Sequence, residues 1–359
     1  MKTIDRMLAS QLVKFVLLAL GSVVVIYLLI DLFEELSYFM TRKVGLFTIL
    51  LYYLYTLPSV IVLLYPVSLL LAVFVVYGQL VRYRELHALE SAGIRATRLF
   101  APAIAIGLAT VFLYLIGYEY VAVPANAALA DLRQLRIERR QATATQKRRD
   151  VYYVGETGRV FNIREFESNG IMTGFCIQEL GPDRKVKERI DGRQALYRNG
   201  VWTAFDVTRR EFLPDGNEKL ERFDSLRLDR VTEKPEDFNR SPRPVDQTPV
   251  GTLRRYIERM RRAGEDVAEE EVELHYRFSY ALIGLIVILL GLPLSVRLRR
   301  GGVMFGLGLG LLVSFLYWGA IQLSRAYGTS HVVSPALAAW LPNIVFGCIA
   351  AGLIIAYRQ

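Results

Sequence analysis

The chain has 359 residues, of which 53% are hydrophobic and 22% charged, with a mean hydropathy of +0.28 and a net charge of +9. This length exceeds one ordinary domain, and the mixture excludes a disordered chain, a disulfide scaffold and a collagen-like fibre. The basic excess alone fits nucleic-acid binding, an anionic membrane or a topology signal, so the positions of the charges must decide.

Uncharged segments long enough to cross a bilayer flank one polar block, because a hydrocarbon core of about 30 Å needs roughly 20 apolar helical residues. The predicted spans lie near residues 12–36, 58–81, 99–118, 278–296, 301–324 and 332–357. The uncharged run 44–81 is too long for one span, and Pro58 and Pro66 offer breaks. We therefore predict a separate interfacial or re-entrant helix over 46–57.

The basic residues orient these spans, since Lys and Arg in short loops favour the cytoplasmic side. With the N-terminus inside, the inner segments carry eleven basic residues against the acidic Asp5, Glu85 and Glu90. The eleven are Lys2, Arg6, Lys14, Arg82, Arg84, Arg95, Arg98, Arg297, Arg299, Arg300 and Arg358. Both termini are predicted to be cytoplasmic, and the polar block is predicted to lie outside.

The polar block, residues 131–277, has 30 basic and 28 acidic residues, so most of the net charge belongs to the membrane part. A nucleic-acid-binding domain would concentrate the excess on its polar face. Nucleic-acid binding therefore loses its main support.

Turn signals every 8–12 residues or so divide the block into short apolar segments, a pattern typical of all-β sandwiches and barrels. The predicted strands are 151–154, 159–164, 171–180, 185–190, 194–207, 208–213 and 219–229. Two apolar faces are predicted, one with Ile171, Phe175 and Ile177 and one with Tyr197, Val201, Phe205 and Val207. These faces form either an ordinary core or a slot open to acyl chains.

A proline-rich segment, residues 235–249, is predicted to leave the β-domain as an extended linker. The helix that follows carries Leu253, Ile257 and Met260 on one face and arginines on the other. Such a helix lies either on a membrane surface or against a domain.

Motifs of catalysis and metal binding are few. Cys176 and Cys348 belong to different regions, the three histidines are scattered, and no P-loop sequence occurs, so we predict no enzyme activity, metal site or bound cofactor in this chain. Gly302, Gly306 and Gly310 form a small-residue motif that predicts close packing of a membrane helix.

Two segments are candidates for function. The loop 82–93 is predicted to form a short helix that docks on a cytoplasmic partner through Glu85, with a solvated loop as the alternative. The stretch after the third span carries Arg133, Arg136, Arg139, Arg140, Lys147, Arg148 and Arg149. Arginine suits phosphate, so this stretch either binds an anionic lipid head group or is a solvated charge run.

Several short motifs occur in order along the chain, namely Ile4-Asp5-Arg6, Arg84-Glu85-Leu86, Ala92-Gly93, Val121-Ala122, Tyr256-Ile257, Ala263-Gly264, Glu273-Leu274-His275, Gly291-Leu292-Pro293-Leu294, Arg300-Gly301-Gly302 and Trp340-Leu341-Pro342-Asn343. In this order and across the whole chain, they resemble the lipopolysaccharide-export permease family LptF/LptG (YjgP/YjgQ). The short C-terminus and the Ile-Asp-Arg opening lean towards LptG.

The resemblance implies a six-helix inner-membrane protein with an inserted, jellyroll-like periplasmic domain, and two such subunits around a transmembrane cavity. It implies an LptB ATPase dimer, which binds ATP and Mg, together with LptC beside the permease and an LptA bridge. Glu85, flanked by Arg84 and Leu86, would contact the ATPase, and Arg133 and Arg136 would contact lipid phosphates. Where LptG-type members can carry a lipid-contacting lysine, this sequence has Asp31.

The sequence thus predicts a permease that extracts lipopolysaccharide. Its predicted parts are membrane helices 1–130 with a coupling loop 82–98, a β-domain 131–247, a connector helix 248–275 and membrane helices 276–359. The alternatives are a lipoprotein-release permease, a membrane enzyme acting on lipids, for which Glu119 is an isolated candidate, and a membrane scaffold.

Overall fold

The computed structural model describes residues 2–358 except 95, 138–146, 156–158, 168, 181–185, 199, 214–216, 240–243, 263–265 and 298–301. The chain divides into two compact units. A helical unit comprises Met1–Ile137 and Ala268–Gln359, and a second unit, Glu138–Val267, contains the β-sheet. Residues 131–137 and 268–275 belong to the helical unit.

The helical unit is formed by α1 (Lys2–Thr41), α2 (Leu46–Arg82), α3 (Glu85–Ser91), α4 (Ala96–Leu99), α5 (Ala101–Gly117), a π-helical segment (Tyr118–Ala122), α6 (Val123–Leu132) and a second π-helical segment (Arg133–Ile137) before the β-domain. The β-domain unit contains α7 (Pro235–Asn239), a 3₁₀ turn (Val245–Gln247) and α8 (Val250–Arg262) after its strands. The chain returns to the helical unit with α9 (Ala268–Ala281), α10 (Ile283–Arg297), α11 (Gly302–Thr329) and α12 (Pro335–Arg358).

In the part of the chain that the structure describes, five helices are long and apolar enough to cross a membrane. The number is six if α9 and α10, which meet at a bend of 44°, form one span. The prediction of a helical membrane protein with an inserted all-β domain is therefore confirmed.

The predicted break in the second span is wrong, because α2 is one helix from Leu46 to Arg82 with Pro58 and Pro66 inside it. Bilayer thickness limits only the part of a helix that lies in hydrocarbon, so a helix can continue beyond it. Prolines are tolerated in such helices because neighbouring groups satisfy the freed backbone. Next to Pro58, the Ser59 hydroxyl donates to Asn126 Oδ1 at 2.6 Å.

The third span also continues beyond its predicted end near Tyr118, and helical structure persists to Ile137. The π-helical segment Tyr118–Ala122 precedes Pro124. A proline ring clashes with the carbonyl four residues earlier, here that of Tyr120. The wider π turn lies where the chain must avoid this clash, which lets the helix continue.

Helix α2 is the centre of the helical unit and packs against α1, α10 and α11. Leu70, Val73, Phe74 and Tyr77 lie in its core. A Cβ atom on Gly291 of α10 would lie 2.7 Å from Leu70 Cδ1 and 3.1 Å from Val73 Cγ1, so α10 and α2 are in close contact at this glycine.

The β-domain has six described strands, which are β1 (Lys147–Val154), β2 (Arg159–Glu167), β3 (Ile171–Leu180), β4 (Val186–Arg198), β5 (Val201–Phe212) and β6 (Glu218–Leu228). They form one antiparallel sheet in chain order. This is a meander of hairpins, whereas the family resemblance implied a jellyroll-like arrangement. The predicted strands 194–207 and 208–213 are wrong, because a turn at Gly200, with φ of +83°, separates two long strands.

A line of interrupted pairing crosses the whole sheet, and we call it the crease. At the same register position each strand has one residue without a Cα partner. These residues are Asp150, Arg164, Gly174, Arg193, Asp206 and Asp224. Asp150, Gly174 and Asp206 have positive φ, at +52°, +62° and +56°.

The crease changes which residues face the core. On β2, Phe161 and Ile163 are buried on one side of it and Phe166 on the other, so the alternation of two shifts by one residue. On β5 the buried residues are Trp202, Ala204 and then Val207. The predicted inner position of Phe205 is wrong, because its side chain is 37% exposed.

The predicted extended linker, residues 235–249, begins instead with a helix, and its residues 240–243 lie outside the described part of the chain. Residues Pro235–Asn239 form α7, and Phe238 is fully buried against the rings of Phe161 and Trp202. The Trp202 indole also donates to the Glu233 carbonyl at 2.7 Å. One aromatic side chain thus fixes a segment whose composition alone resembles a linker.

Helix α8 has the predicted amphipathic pattern. Leu253 and Ile257 are only 2% and 5% exposed, while Arg254 and Arg255 are exposed. The apolar stripe is covered by protein, which favours the packing alternative over insertion into a membrane surface.

Candidate functional site

An apolar groove lies between α2, α10 and α11 in the helical unit, with a volume of ≈ 330 Å³. This volume lies within the range of about 300–1,000 Å³ that is usual for ligand pockets. Its lining includes Leu63 and Val67 of α2, Val287 of α10, and Leu311 and Phe315 of α11. The groove can therefore hold an apolar chain at the depth of the membrane spans.

Few polar atoms reach the apolar groove. The Ser314 hydroxyl oxygen lines it and is buried, with no hydrogen-bond partner among the described residues. Tyr317 also lines the groove, and its hydroxyl donates a hydrogen bond to Asn343 Oδ1. The Asn343 amide in turn donates to the Ser279 carbonyl.

The small-residue motif of α11 lies beside this groove. Gly306 and Gly310 both approach Phe74 of α2, and added Cβ atoms would lie 3.2 Å and 3.1 Å from its ring carbons. Gly302 begins α11, and its surroundings lie outside the described residues. The two glycines bring α11 close to α2.

A second candidate site is the end of the helical unit where the chain enters the β-domain, which we call the insert end. Arg133 Nη2 lies 3.4 Å from Glu35 Oε1, and the Arg133 guanidinium lies 5.5 Å from the centre of the Tyr38 ring. Both side chains of this ion pair remain partly exposed. Arg136 is exposed on the same π-helical segment, so the two predicted lipid-contacting arginines lie close together.

The rest of the arginine-rich stretch is spread over another unit. Arg139 and Arg140 lie outside the described residues, and Lys147 and Arg148 form the start of β1. Arg149 is exposed and forms an ion pair with Glu165 at 3.3 Å. The described part of the stretch is thus divided between the helical unit and the β-domain unit.

Asp31 of α1 also lies near the insert end. Its carboxylate is partly buried and interacts with the Tyr53 hydroxyl of α2. An acidic group, rather than a lysine, thus faces the neighbouring helix at this position.

The predicted coupling helix is α3, at the opposite end of α2. The chain reverses at Arg84, whose φ is +58°, and Gly93 with φ of +83° follows the end of α3. Glu85 is exposed in the first turn of α3, whereas Leu86 is 2% exposed and belongs to the core of the helical unit. Leu86 thus anchors this short helix, and its neighbour Glu85 faces outward.

Sequence reasoning missed two ion pairs near the insert end. Arg277 of α9 is almost fully buried, 3.9 Å from Glu119, and lies over the Tyr118 ring. Arg325 of α11 is paired with Glu273 of α9. The signal was available in the charges that border the predicted spans, but charge counts alone did not indicate which of them pair.

The model of the family described as "Lipopolysaccharide export system permease LptF/LptG" matches residues 6–357. No curated protein sequence matches the chain. The family model includes both subunit types, so the lean towards LptG stays a prediction. The match runs through the membrane helices, the β-domain and the apolar groove alike. The chain therefore belongs to the LptF/LptG family of lipopolysaccharide export permeases.

Proposed function

We propose that this chain is the transmembrane subunit that removes lipopolysaccharide from the bacterial inner membrane and passes it to a periplasmic bridge. The observation that carries the proposal is the family match over residues 6–357. The apolar groove between membrane helices and the arginines at the insert end support it, because the cargo combines acyl chains with phosphates.

The cargo enters the helical unit sideways. Its acyl chains lie against apolar surfaces such as Phe315 and Leu311, which are 67% and 54% exposed. Its phosphates bind near Arg133 and Arg136, since guanidinium groups form paired hydrogen bonds with phosphate oxygens. Burial of each methylene of a chain would contribute about 0.8 kcal/mol.

A separate cytoplasmic ATPase dimer of the LptB type supplies the energy, and it binds the ATP and Mg. The exposed Glu85 on α3 contacts this partner, with Arg84 beside it, while the buried Leu86 transmits the movement of α3 to the helical unit. Movement can expel the lipid only if the open and closed cavities differ in affinity for it.

The remaining partners follow from the same role. A second LptF/LptG-type subunit completes the cavity, LptC lies beside the permease, and LptA receives the lipid. Both termini are cytoplasmic and the β-domain is periplasmic, as the distribution of basic residues favours.

Co-purification in detergent, followed by mass spectrometry of proteins and lipids, tests this function. We expect an LptB-type ATPase, a second permease subunit and a lipid A-containing species in the same peak. A purified chain that carries phospholipid but neither lipid A nor an ATPase would contradict the proposal. An unrelated multi-pass membrane protein purified in parallel is the control.

A further inference from the structure

The span formed by α9 and α10 is bent by 44°, and Leu282 lies at the bend between the two helices. Residues 279–283 contain no proline, and Pro293 lies well beyond them inside α10. A sharp kink needs an identifiable cause, and one of the few is a side chain that inserts into the hydrogen-bond ladder of the helix. Side chains of two other helices do so here.

Asn343 of α12 is the first of these side chains. Its amide donates to the Ser279 carbonyl, and the Ser279 hydroxyl donates in return to the Ala339 carbonyl of α12 at 2.6 Å. The Leu282 amide also donates to the Ser279 carbonyl at 3.1 Å, which closes a turn tighter than that of an α-helix. Asn343 and Ser279 are both buried, so α12 is fastened to the bend in both directions within the helical unit.

Tyr65 of α2 is the second. Its hydroxyl donates to the Tyr280 carbonyl at 3.0 Å, and the Tyr280 hydroxyl donates to the Leu63 carbonyl of α2 at 3.3 Å. A backbone carbonyl without a donor is costly at the depth of a membrane span. Two successive carbonyls at the bend, those of Ser279 and Tyr280, therefore depend on side chains of α12 and α2.

Pro342 and helix α11 hold Asn343 in place. Proline has no N–H group, which leaves the Ala338 carbonyl without its helical donor. The Ser324 hydroxyl of α11 donates to this carbonyl at 2.6 Å. The Tyr317 hydroxyl of α11 donates to Asn343 Oδ1, so the Asn343 amide presents its NH₂ group to the bend.

The bend also forms part of the apolar groove. Tyr280 before it, and Ile283 and Val287 after it, line the groove together with residues of α2 and α11. At 1.5 Å per residue Val287 lies about 8 Å beyond Leu282, so straightening the 44° bend would move it by about 6 Å. The width of the groove therefore depends on the bend.

We propose that Asn343 is a positioning residue whose hydrogen bond to the Ser279 carbonyl holds the bend between α9 and α10, and that this bend keeps the apolar groove open. Tyr65 supports the same bend from α2. Loss of either contact lets α10 straighten and narrows the groove. The inference rests on the proposed function, because the groove holds an acyl chain of the cargo, and it adds the contacts that control the width of the groove.

Spin-label distances in the full chain, purified with its partners in detergent, measure the bend. Cys176→Ser and Cys348→Ser remove the native thiols, and Glu269→Cys and Arg297→Cys place nitroxides at exposed positions near the two ends of the bent span. The two arms are about 20 Å and about 22 Å long, so full straightening of the 44° bend would lengthen the distance by about 3 Å.

Asn343→Leu removes the amide at similar volume, and Tyr65→Phe removes only a hydroxyl. We expect the distance distribution to broaden or to move to longer distances in both variants. Ser324→Ala is the matched control, because it removes a buried hydrogen bond between α11 and α12 but none to the bend. Distributions equal to that of the control would overturn the role of Asn343, and Tyr65→Phe decides the test if Asn343→Leu does not fold.

Photocrosslinking measures the groove in the same variants. Leu311→benzoylphenylalanine places the probe in the groove, and the ligand is diphosphoryl lipid A. We expect the adduct yield to fall about fivefold or more in Asn343→Leu and Tyr65→Phe, the factor that corresponds to one lost buried hydrogen bond, and to stay constant in Ser324→Ala. A changed distance with an undiminished adduct would overturn the link between the bend and the groove.

Failure of the proposed function is distinguishable from failure of the bend, because the distance measurement needs no lipid. If the chain altered only at Leu311 forms no lipid A adduct, the groove does not hold the cargo, which contradicts the proposed function and the link of the bend to lipid. A distance that still responds to Asn343→Leu would then support the structural contact alone.

Discussion

Glu85 and Leu86 are neighbours on α3, but Glu85 is exposed and Leu86 is buried. Substitutions at the two positions can therefore distinguish coupling to the ATPase from stability of the fold. Glu85→Ala should abolish recovery of the ATPase with the complex, while the thermal midpoint of the chain stays unchanged. Leu86→Ala should lower stability by about 2–5 kcal/mol, because it leaves a cavity in the core. Affinity purification and thermal unfolding measure the two effects.

Equal ATPase recovery with Glu85→Ala and with the unaltered chain would contradict the coupling role. Glu90→Ala is a matched control on the same helix, because its carboxylate already interacts with His87 at 3.3 Å. We expect this control to retain the ATPase.

Arg133 and Arg136 are predicted to bind lipid phosphate at the insert end. The double variant Arg133→Gln, Arg136→Gln should reduce co-purified lipopolysaccharide at least about tenfold, since the loss of even one charged contact removes about 1.5–3 kcal/mol. Stability should change little, because the Arg133–Glu35 pair is partly exposed. Quantitative lipid mass spectrometry measures the effect.

Arg149→Gln is the control for this experiment, because Arg149 is an exposed arginine of the β-domain. A double variant that retains as much lipid as this control would show that the insert-end arginines do not bind the phosphates.

Cys176 of β3 gives a prediction for pH. Burial, followed by the charge of Asp191, raises the pKa of its thiol to about 11. The folded state therefore favours the neutral thiol, and this contribution to stability is present below the ordinary pKa of about 8.5 and is lost as the pH rises through 11. In a Cys348→Ser background, alkylation of the folded chain should reach half its maximum rate near pH 11.

Unfolding in denaturant should return the midpoint of alkylation to about pH 8.5. A midpoint near pH 8.5 in the folded chain would contradict the burial of this thiol. Mass spectrometry of the alkylated peptide provides the rates.

At the scale of the element, the crease determines how the sheet presents its faces. Gly174 has a φ of +62°, and an added Cβ would lie 3.3 Å from Arg164 Cβ. Gly174→Ala should cost about 1–2 kcal/mol, because a side chain is strained in this conformation. Hydrogen exchange of the β3 and β4 amides should accelerate accordingly.

Thr173→Ala is the adjacent control, because Thr173 is exposed and keeps its regular pairing with Glu165 and Gln194. Equal exchange rates in the two variants would show that the crease carries no backbone strain at Gly174.

The crease also explains why the alternation of apolar and polar residues predicted where the strands lie better than it predicted which of their residues face the core. Segments rich in Val, Phe and Ile indicated where the chain forms strands, and most of the predicted strand positions agree with the structure. A single unpaired residue such as Asp206 reverses every later side chain, so Val207 is buried on the same face as Trp202 and Ala204, although odd numbering would place it opposite them. Nothing local in the sequence marks Asp206 as that residue.

The predicted boundaries of the helices were wrong for a related reason. Pro58 was a plausible break by local preference, yet α2 passes through it because the surrounding helices complete its contacts. The charged sequence around Leu86 did not indicate that its side chain is buried. Sequence reasoning found both candidate segments, but tertiary packing decided which residues anchor them.

At the scale of the whole molecule, the net charge of +9 combines a membrane part that carries most of the basic excess with a nearly neutral β-domain. The candidate sites of the helical unit lie at opposite ends of α2, with Arg133 near its start and Glu85 just after its end. A helix of 37 residues is about 56 Å long. A movement of α3 can thus reach the insert end, where we propose that lipid phosphate binds, through one continuous element.

Transport by reconstituted protein tests this account most directly. Proteoliposomes would contain the chain, its partner subunits, the ATPase and lipopolysaccharide, with LptA carrying a photocrosslinker in solution. The account predicts that lipopolysaccharide–LptA adducts accumulate with ATP and stay at background without it or with Glu85→Ala. An intact, ATP-hydrolysing complex that gives no adduct above the ATP-free level would contradict the permease function.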